Sequence, residues 1–307
     1  MLPSFPTPYQ TIELPDTNAY GVQLTVKRLD KKHPEISGNK WYKLKYNIEE
    51  AVTLGHGQIL TFGGAYSNHI YATAAAAKEA GLSSIGIIRG EEILPLNPTL
   101  SRAAALGMKL DYISRTAYRE KTSPERIHEL SKTHGDFYLI PEGGTNALAI
   151  KGTREILEES DSRFDFICTS IGTGGTVAGL LASAKKSQKV LGFSCLKGDF
   201  MEKEVQLLLE KYDIDPVCSY RILRDYHFGG YGKSKPELIE FIHYFKRTTG
   251  IPLDPIYTGK MMFGLVDMIK KKMIPEGSQI LVLHTGGLQG IRGFNLQHGI
   301  NLQESDG

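Results

Sequence analysis

The chain has 307 residues, 41% of them apolar and 23% charged, which is enough for one large or two modest hydrophobic cores. Lysine and arginine nearly balance aspartate and glutamate at a net +2, so charge gives no case for binding nucleic acid. No run approaches the ~20 apolar residues of a membrane span. Three cysteines without CxxC spacing (Cys168, Cys195, Cys218) point to reduced core thiols in a cytoplasmic protein.

Taken in chain order, the opening stretch Met1-Leu2-Pro3-Ser4-Phe5-Pro6-Thr7-Pro8 lacks the basic and apolar regions of a signal peptide. Residues 22–26 alternate at period two, as a strand does. Ser37-Gly38-Asn39-Lys40-Trp41-Tyr42-Lys43-Leu44 then gives a turn signal, with a helical pattern over 43–54. A lysine at a helix start is desolvated and near positive dipole, which lowers its pKa and supplies a neutral amine. The strand 58–62 runs into Gly63-Gly64-Ala65-Tyr66-Ser67-Asn68-His69 and an alanine-rich helix over 68–80. Ser67 and Asn68 read equally well as helix N-caps or as groups that contact a ligand.

Further strands are expected at 84–88, 109–113 and 137–140, and then at 164–169. The last of these leads into Gly172-Thr173-Gly174-Gly175-Thr176 and a helix, a turn whose N–H groups form an anion site. The dinucleotide pattern GxGxxG fails here at Val177. The next strand, 190–196, also lacks the acid that would bind a ribose, so a small phosphate fits better. A strand–helix connection without ligand stays open at this point. Gly232-Lys233-Ser234 mimics a Walker A ending, but its upstream glycine is His227. Asp254-Pro255-Ile256-Tyr257-Thr258-Gly259-Lys260 places a tyrosine before a turn, and the strand 279–284 ends in His284-Thr285-Gly286-Gly287.

Short apolar strands alternating with longer helices define an α/β fold of open, mostly parallel twisted sheets with helices on both faces. Glycines cluster just after the strands, where such sheets hold ligands. An amine at Lys40 and an anion cradle at Gly172 together suggest a phosphate-bearing aldehyde cofactor held as a Schiff base, and hence an enzyme. There is no HExxH or GxSxG pattern, so a metal site or serine hydrolase has little support.

These motifs, with Pro141-Glu142-Gly143-Gly144-Thr145-Asn146 and Tyr231-Gly232, occur in an order that resembles the 1-aminocyclopropane-1-carboxylate deaminase/D-cysteine desulfhydrase family. These are pyridoxal-phosphate enzymes of tryptophan-synthase-β-like fold, and the resemblance runs from about Val26 to Gly287. It implies that Lys40 carries the aldehyde and exchanges the α-proton. Asn68 would meet the phenolic oxygen, and Gly172, Thr173, Gly174, Gly175 and Thr176 would bind the phosphate with Lys43. Thr285 would face the pyridine nitrogen. Ser67 and Tyr257 would flank the ring and substrate as catalytic groups, with Tyr66, Asn68, His69 and Thr258 contacting the substrate. It further implies a small domain (45–148) inserted into a large one (1–44 and 149–307), and a homodimer.

The deaminase branch carries glutamate after the DPxY tyrosine and leucine in HTGG, where this chain has Thr258 and Thr285. A threonine hydroxyl cannot hold a proton charge on the pyridine nitrogen, which suits elimination of a good leaving group better than ring opening. Trp41-Tyr42 also departs from the family's small-residue-plus-arginine pair. The resemblance therefore favours β-elimination from D-cysteine or a related D-amino acid, giving pyruvate, ammonia and sulfide. The alternatives are 1-aminocyclopropane-1-carboxylate deamination to 2-oxobutyrate, action on D-serine, and a non-catalytic phosphate-ligand binding protein.

Overall fold

The computed structural model describes residues 2–302, and the first residue of the opening stretch, Met1, lies outside that range. Among the described residues ten strands form two sheets: β1 (Tyr9–Ile12), β2 (Gln23–Lys27), β3 (Gln58–Gly63), β4 (Ser83–Arg89), β5 (Met108–Ile113), β6 (Tyr138–Ile140), β7 (Phe166–Ile171), β8 (Lys189–Ser194), β9 (Ser219–Leu223) and β10 (Gln279–Leu283). One sheet has six strands in the order β1-β2-β10-β7-β8-β9, the other four in the order β5-β4-β3-β6. Every pairing is parallel except β1 with β2. The four-stranded sheet comes wholly from residues 58–140, while the six-stranded sheet draws on the chain to either side of it.

Parallel strands covered by helices on both faces must be apolar throughout. Ile59, Leu60 and Phe62 of β3 and Ile280 to Leu283 of β10 are accordingly fully buried. The six-stranded sheet packs one face on the methionine-rich helix Thr258–Lys270, with Met261, Met262, Leu265 and Met268 in the same cluster as Leu191 and Val282. Lys27 of β2 is enclosed and donates to Asp161 at 2.8 Å and to the more exposed Glu158 at 3.2 Å, and Tyr9 of β1 donates to Asp161 at 2.8 Å. These bonds lock the antiparallel edge to the segment before β7.

The apolar strands lie within one or two residues of their expected positions. Two others, β1 and β9, were not anticipated. They form the edges of the six-stranded sheet and are partly exposed, so they carry no continuous apolar run. The lysine-bearing helix starts at Asn39, four residues before the expected start, which puts Lys40 inside its first turn. Loops after β3, β4, β7 and β10 converge on one cavity.

Candidate active site

The cavity has a volume of about 1000 Å³. The strand ends of both sheets and the start of the helix Asn39–Thr53 line it. That helix is fixed by Gly38, whose backbone (φ 69°, ψ −144°) is one that only glycine adopts readily. A Cβ at Gly38 would lie 1.9 Å from the carbonyl oxygen of Thr285, and Asn39 N–H donates to that same oxygen at 3.3 Å. The turn bearing the lysine therefore sits directly on the end of β10.

Lys40 Nζ donates to Asn39 Oδ1 at 3.0 Å, and Asn39 Nδ2 donates to Thr176 Oγ1 at 2.7 Å. Two hydrogen bonds thus join the amine to the helix that follows the glycine turn. Burial lowers the Lys40 pKa to about 8, against a weak opposing pull from Asp254. Lys43, one turn on, donates to the Gly143 carbonyl at 2.8 Å and to the hydroxyls of Thr145 (3.0 Å) and Thr173 (3.3 Å). Burial, and then the charge of Lys40, hold its pKa well below the lysine range.

Gly172, Thr173, Gly174 and Thr176 line the cavity beside Lys43. Gly174 is left-handed at the helix N-cap, so the N–H groups of the first turn face outward without partners in their own helix. Gly175 lies just behind them. A Cβ there would come within 2.8 Å of Thr145 Oγ1 and 3.1 Å of Lys43 Nζ, so only glycine lets the backbone approach this closely. An anion in this cradle would meet the helix dipole and an ammonium together.

Ser67 caps the helix Asn68–Glu79, its Oγ accepting from His69 N (3.2 Å) and Ile70 N (3.3 Å). Its own hydroxyl proton remains free to point into the cavity. Asn68 Oδ1 accepts from Gln289 Nε2 at 3.1 Å, which turns the Asn68 amide nitrogen toward other partners. Tyr66 and His69 complete this wall. His69 Nε2 meets Thr61 Oγ1 at 2.8 Å, and burial with the two nearby lysines holds its pKa well below the histidine range, so the ring is neutral.

On the opposite side, Tyr257 packs against Gly172, and burial raises its phenol pKa well above 10. Thr285 Oγ1 lies 3.1 Å from Ser170 Oγ in the same wall. Thr258, expected against the substrate, does not reach the cavity wall. It is fully buried, and its hydroxyl donates to Asp254 Oδ1 at 2.7 Å, leaving Asp254 to hold the backbone of Ile256, Tyr257 and Thr258. Sequence reading missed Asn39, Ser170 and Gln289. Of these only Asn39 had a signal, its place next to Lys40 in the Gly38-Asn39-Lys40 turn.

A partly neutral amine, a second lysine one helical turn on that reaches the glycine-turn cradle, and a polar wall lining the same cavity fit a phosphate-bearing aldehyde of pyridoxal size. This is the site of an enzyme that works through that cofactor, set between two mostly parallel sheets. The chain belongs to the pyridoxal-phosphate-dependent enzymes, whose family model matches residues 2–286, and within them to the 1-aminocyclopropane-1-carboxylate deaminase/D-cysteine desulfhydrase family. A Pyrococcus abyssi protein provisionally named 1-aminocyclopropane-1-carboxylate deaminase is 34% identical, with 88% of this chain and 86% of the relative covered. The bifunctional D-cysteine desulfhydrase/1-aminocyclopropane-1-carboxylate deaminase of Arabidopsis thaliana mitochondria is also 34% identical, over 94% of this chain and 78% of the relative. A crystal structure of a homologue of the deaminase superposes with a TM-score of 0.81 at 30% identity, covering 93% of this chain and 90% of that one.

Proposed function

We propose that the protein is a D-cysteine desulfhydrase-like lyase, eliminating a β-substituent from a small D-amino acid to give pyruvate and ammonia, with sulfide released from D-cysteine. When bound, pyridoxal phosphate withdraws the electron pair left by a broken bond at the α-carbon. The residues that would hold it are Lys40 at the aldehyde, Asn68 at the phenolic oxygen, Lys43 with the Gly172–Thr176 turn at the phosphate, and Thr285 at the pyridine nitrogen.

Lys40 is the base in this reading. With a pKa near 8, a useful fraction of it is neutral at physiological pH and able to take the α-proton. Tyr257 stays protonated, so it can donate a hydrogen bond to departing sulfur rather than act as a base. The Ser67 hydroxyl, its oxygen already occupied by two N–H groups, has only its proton to offer, which suits a substrate carboxylate.

The observation that carries the choice of reaction is Thr285 with its Ser170 partner. Neither hydroxyl ionises, so the pyridine nitrogen has no carboxylate to fix a proton there, and prompt loss of a leaving group suits this site. The names of the Pyrococcus and Arabidopsis relatives support a second reading, deamination of 1-aminocyclopropane-1-carboxylate. Assays with D-cysteine, L-cysteine and the cyclopropane amino acid decide between them. Turnover of D-cysteine that Lys40→Ala abolishes, by about 10³-fold or more, is expected. Turnover of the cyclopropane alone overturns the desulfhydrase reading, and unchanged turnover by Lys40→Ala overturns the role of Lys40.

A further inference from the structure

The loop over residues 225–233, between β9 and the helix Pro236–Thr249, holds an uncommon conformation. Phe228, not a glycine, sits at φ 52°, and Gly229, Gly230 and Gly232 also have positive φ. Such backbone persists only where its surroundings hold it. Here the Phe228 ring packs edge-on against Phe263 (4.9 Å, 88°), and His227 Nδ1 accepts from Gly229 N–H at 2.9 Å.

The third hold is Lys260, which is 1% exposed. Its ammonium donates to the carbonyls of His227 (2.9 Å) and Gly230 (2.8 Å). No carboxylate among the described residues lies within salt-bridge distance of it. A buried ammonium met only by loop carbonyls is a costly way to stabilise a core, and an apolar residue of similar volume would serve better there. Lys260 lies in the first turn of Thr258–Lys270, three residues after Tyr257. The loop it holds carries Tyr231, whose ring meets that of Tyr257 edge-on (6.1 Å, 68°) on the cavity wall.

We infer that Lys260 is a positioning residue: its ammonium latches the 225–233 loop so that Tyr231 meets Tyr257 across the substrate end of the cavity. The inference rests on the reading of this cavity as the reactive site. Lys260 touches neither substrate nor cofactor in this scheme and acts through Tyr231.

The test uses the cofactor-loaded enzyme with Lys260→Met, and with Lys260→Gln, which keeps one donor and serves should the methionine variant not fold. Amide hydrogen exchange in peptides spanning 225–233 is expected to rise at least tenfold while peptides around Lys40 keep the wild-type rate. The kcat/KM should fall ten- to hundredfold, with cofactor content and absorption maximum unchanged. In a Tyr231→Phe background, Lys260→Gln should cost less than threefold more. Unchanged loop exchange overturns the latch, as does exchange that rises evenly along the chain with loss of cofactor. A full multiplicative cost in the double variant overturns the route through Tyr231. If the wild type acts on none of the amino acids tested, the lyase reading fails, and loop exchange alone then decides whether the latch exists.

Discussion

At the residue scale, the amine is the part of the site most open to a simple measurement. A neutral amine adds to an aldehyde and a protonated one does not. With the Lys40 pKa lowered to about 8, the neutral fraction grows about tenfold per pH unit below that value and levels off above it. The rate at which cofactor-free protein captures pyridoxal phosphate should therefore climb from pH 6 to pH 8 and then flatten. A rate still climbing at pH 10 would mean an ordinary, solvated lysine. The lysine itself was legible because a glycine turn, a helix start and a second lysine bracket it. Asn39, Ser170 and Gln289 were not. A short polar side chain at a helix start or strand end has many innocuous explanations, and what sets these apart is a partner 137, 115 and 221 residues away in sequence.

At the element scale, helix placement matters more than helix propensity. The helix Asn39–Thr53 has no side-chain cap at its start, so Gly38 and its contact with the end of β10 set where it begins. Gly38→Ala is expected to destabilise the protein by at least about 3 kcal/mol, from a backbone closed to L-residues plus a clash with the Thr285 carbonyl that cannot move without shifting β10. Chemical denaturation of the cofactor-free variant measures this, and a loss under about 1 kcal/mol would show that the turn relaxes freely. The six central strands were readable because burial on both faces forces them to be apolar, and the edges β5 and β6 keep enough apolar residues to be read with them. The edge strands β1 and β9 are shaped by pairing with one neighbour, a tertiary fact that their short, mixed sequences do not carry. The Thr258 side chain was misjudged for a related reason: its neighbour Asp254 needs its donor, and nothing in a linear motif says which side chains a buried carboxylate will claim.

At the scale of the whole molecule, the crevice between the sheets gathers residues from Asn39 to Gln297 into one cavity. A ligand held there binds the folded chain and not the unfolded one, so it stabilises by mass action. Stripping the cofactor should lower unfolding stability by about 3 kcal/mol relative to protein with free cofactor at a hundred times its Kd. Adding it back should raise the melting temperature with concentration. A melting temperature indifferent to the cofactor would mean that the folded chain does not bind it preferentially, and the assignment of this cavity would fail. The α/β class and the convergence of glycine turns on one crevice followed from the sequence pattern alone. The assembly of both sheets around the site depends on chain crossings that no local signal records.

Those crossings meet at Lys43. The chain leaves the six-stranded sheet through the helix that carries it and returns past Gly143 and Thr145, and the one ammonium is bonded to both, as well as to Thr173 of the glycine turn. It thus ties the strand ends of the four-stranded sheet to those of the six-stranded one. Any separation of the two sheets would break bonds at the very atom that would clasp the phosphate, so the grip on the anion and the join between the sheets share one set of contacts.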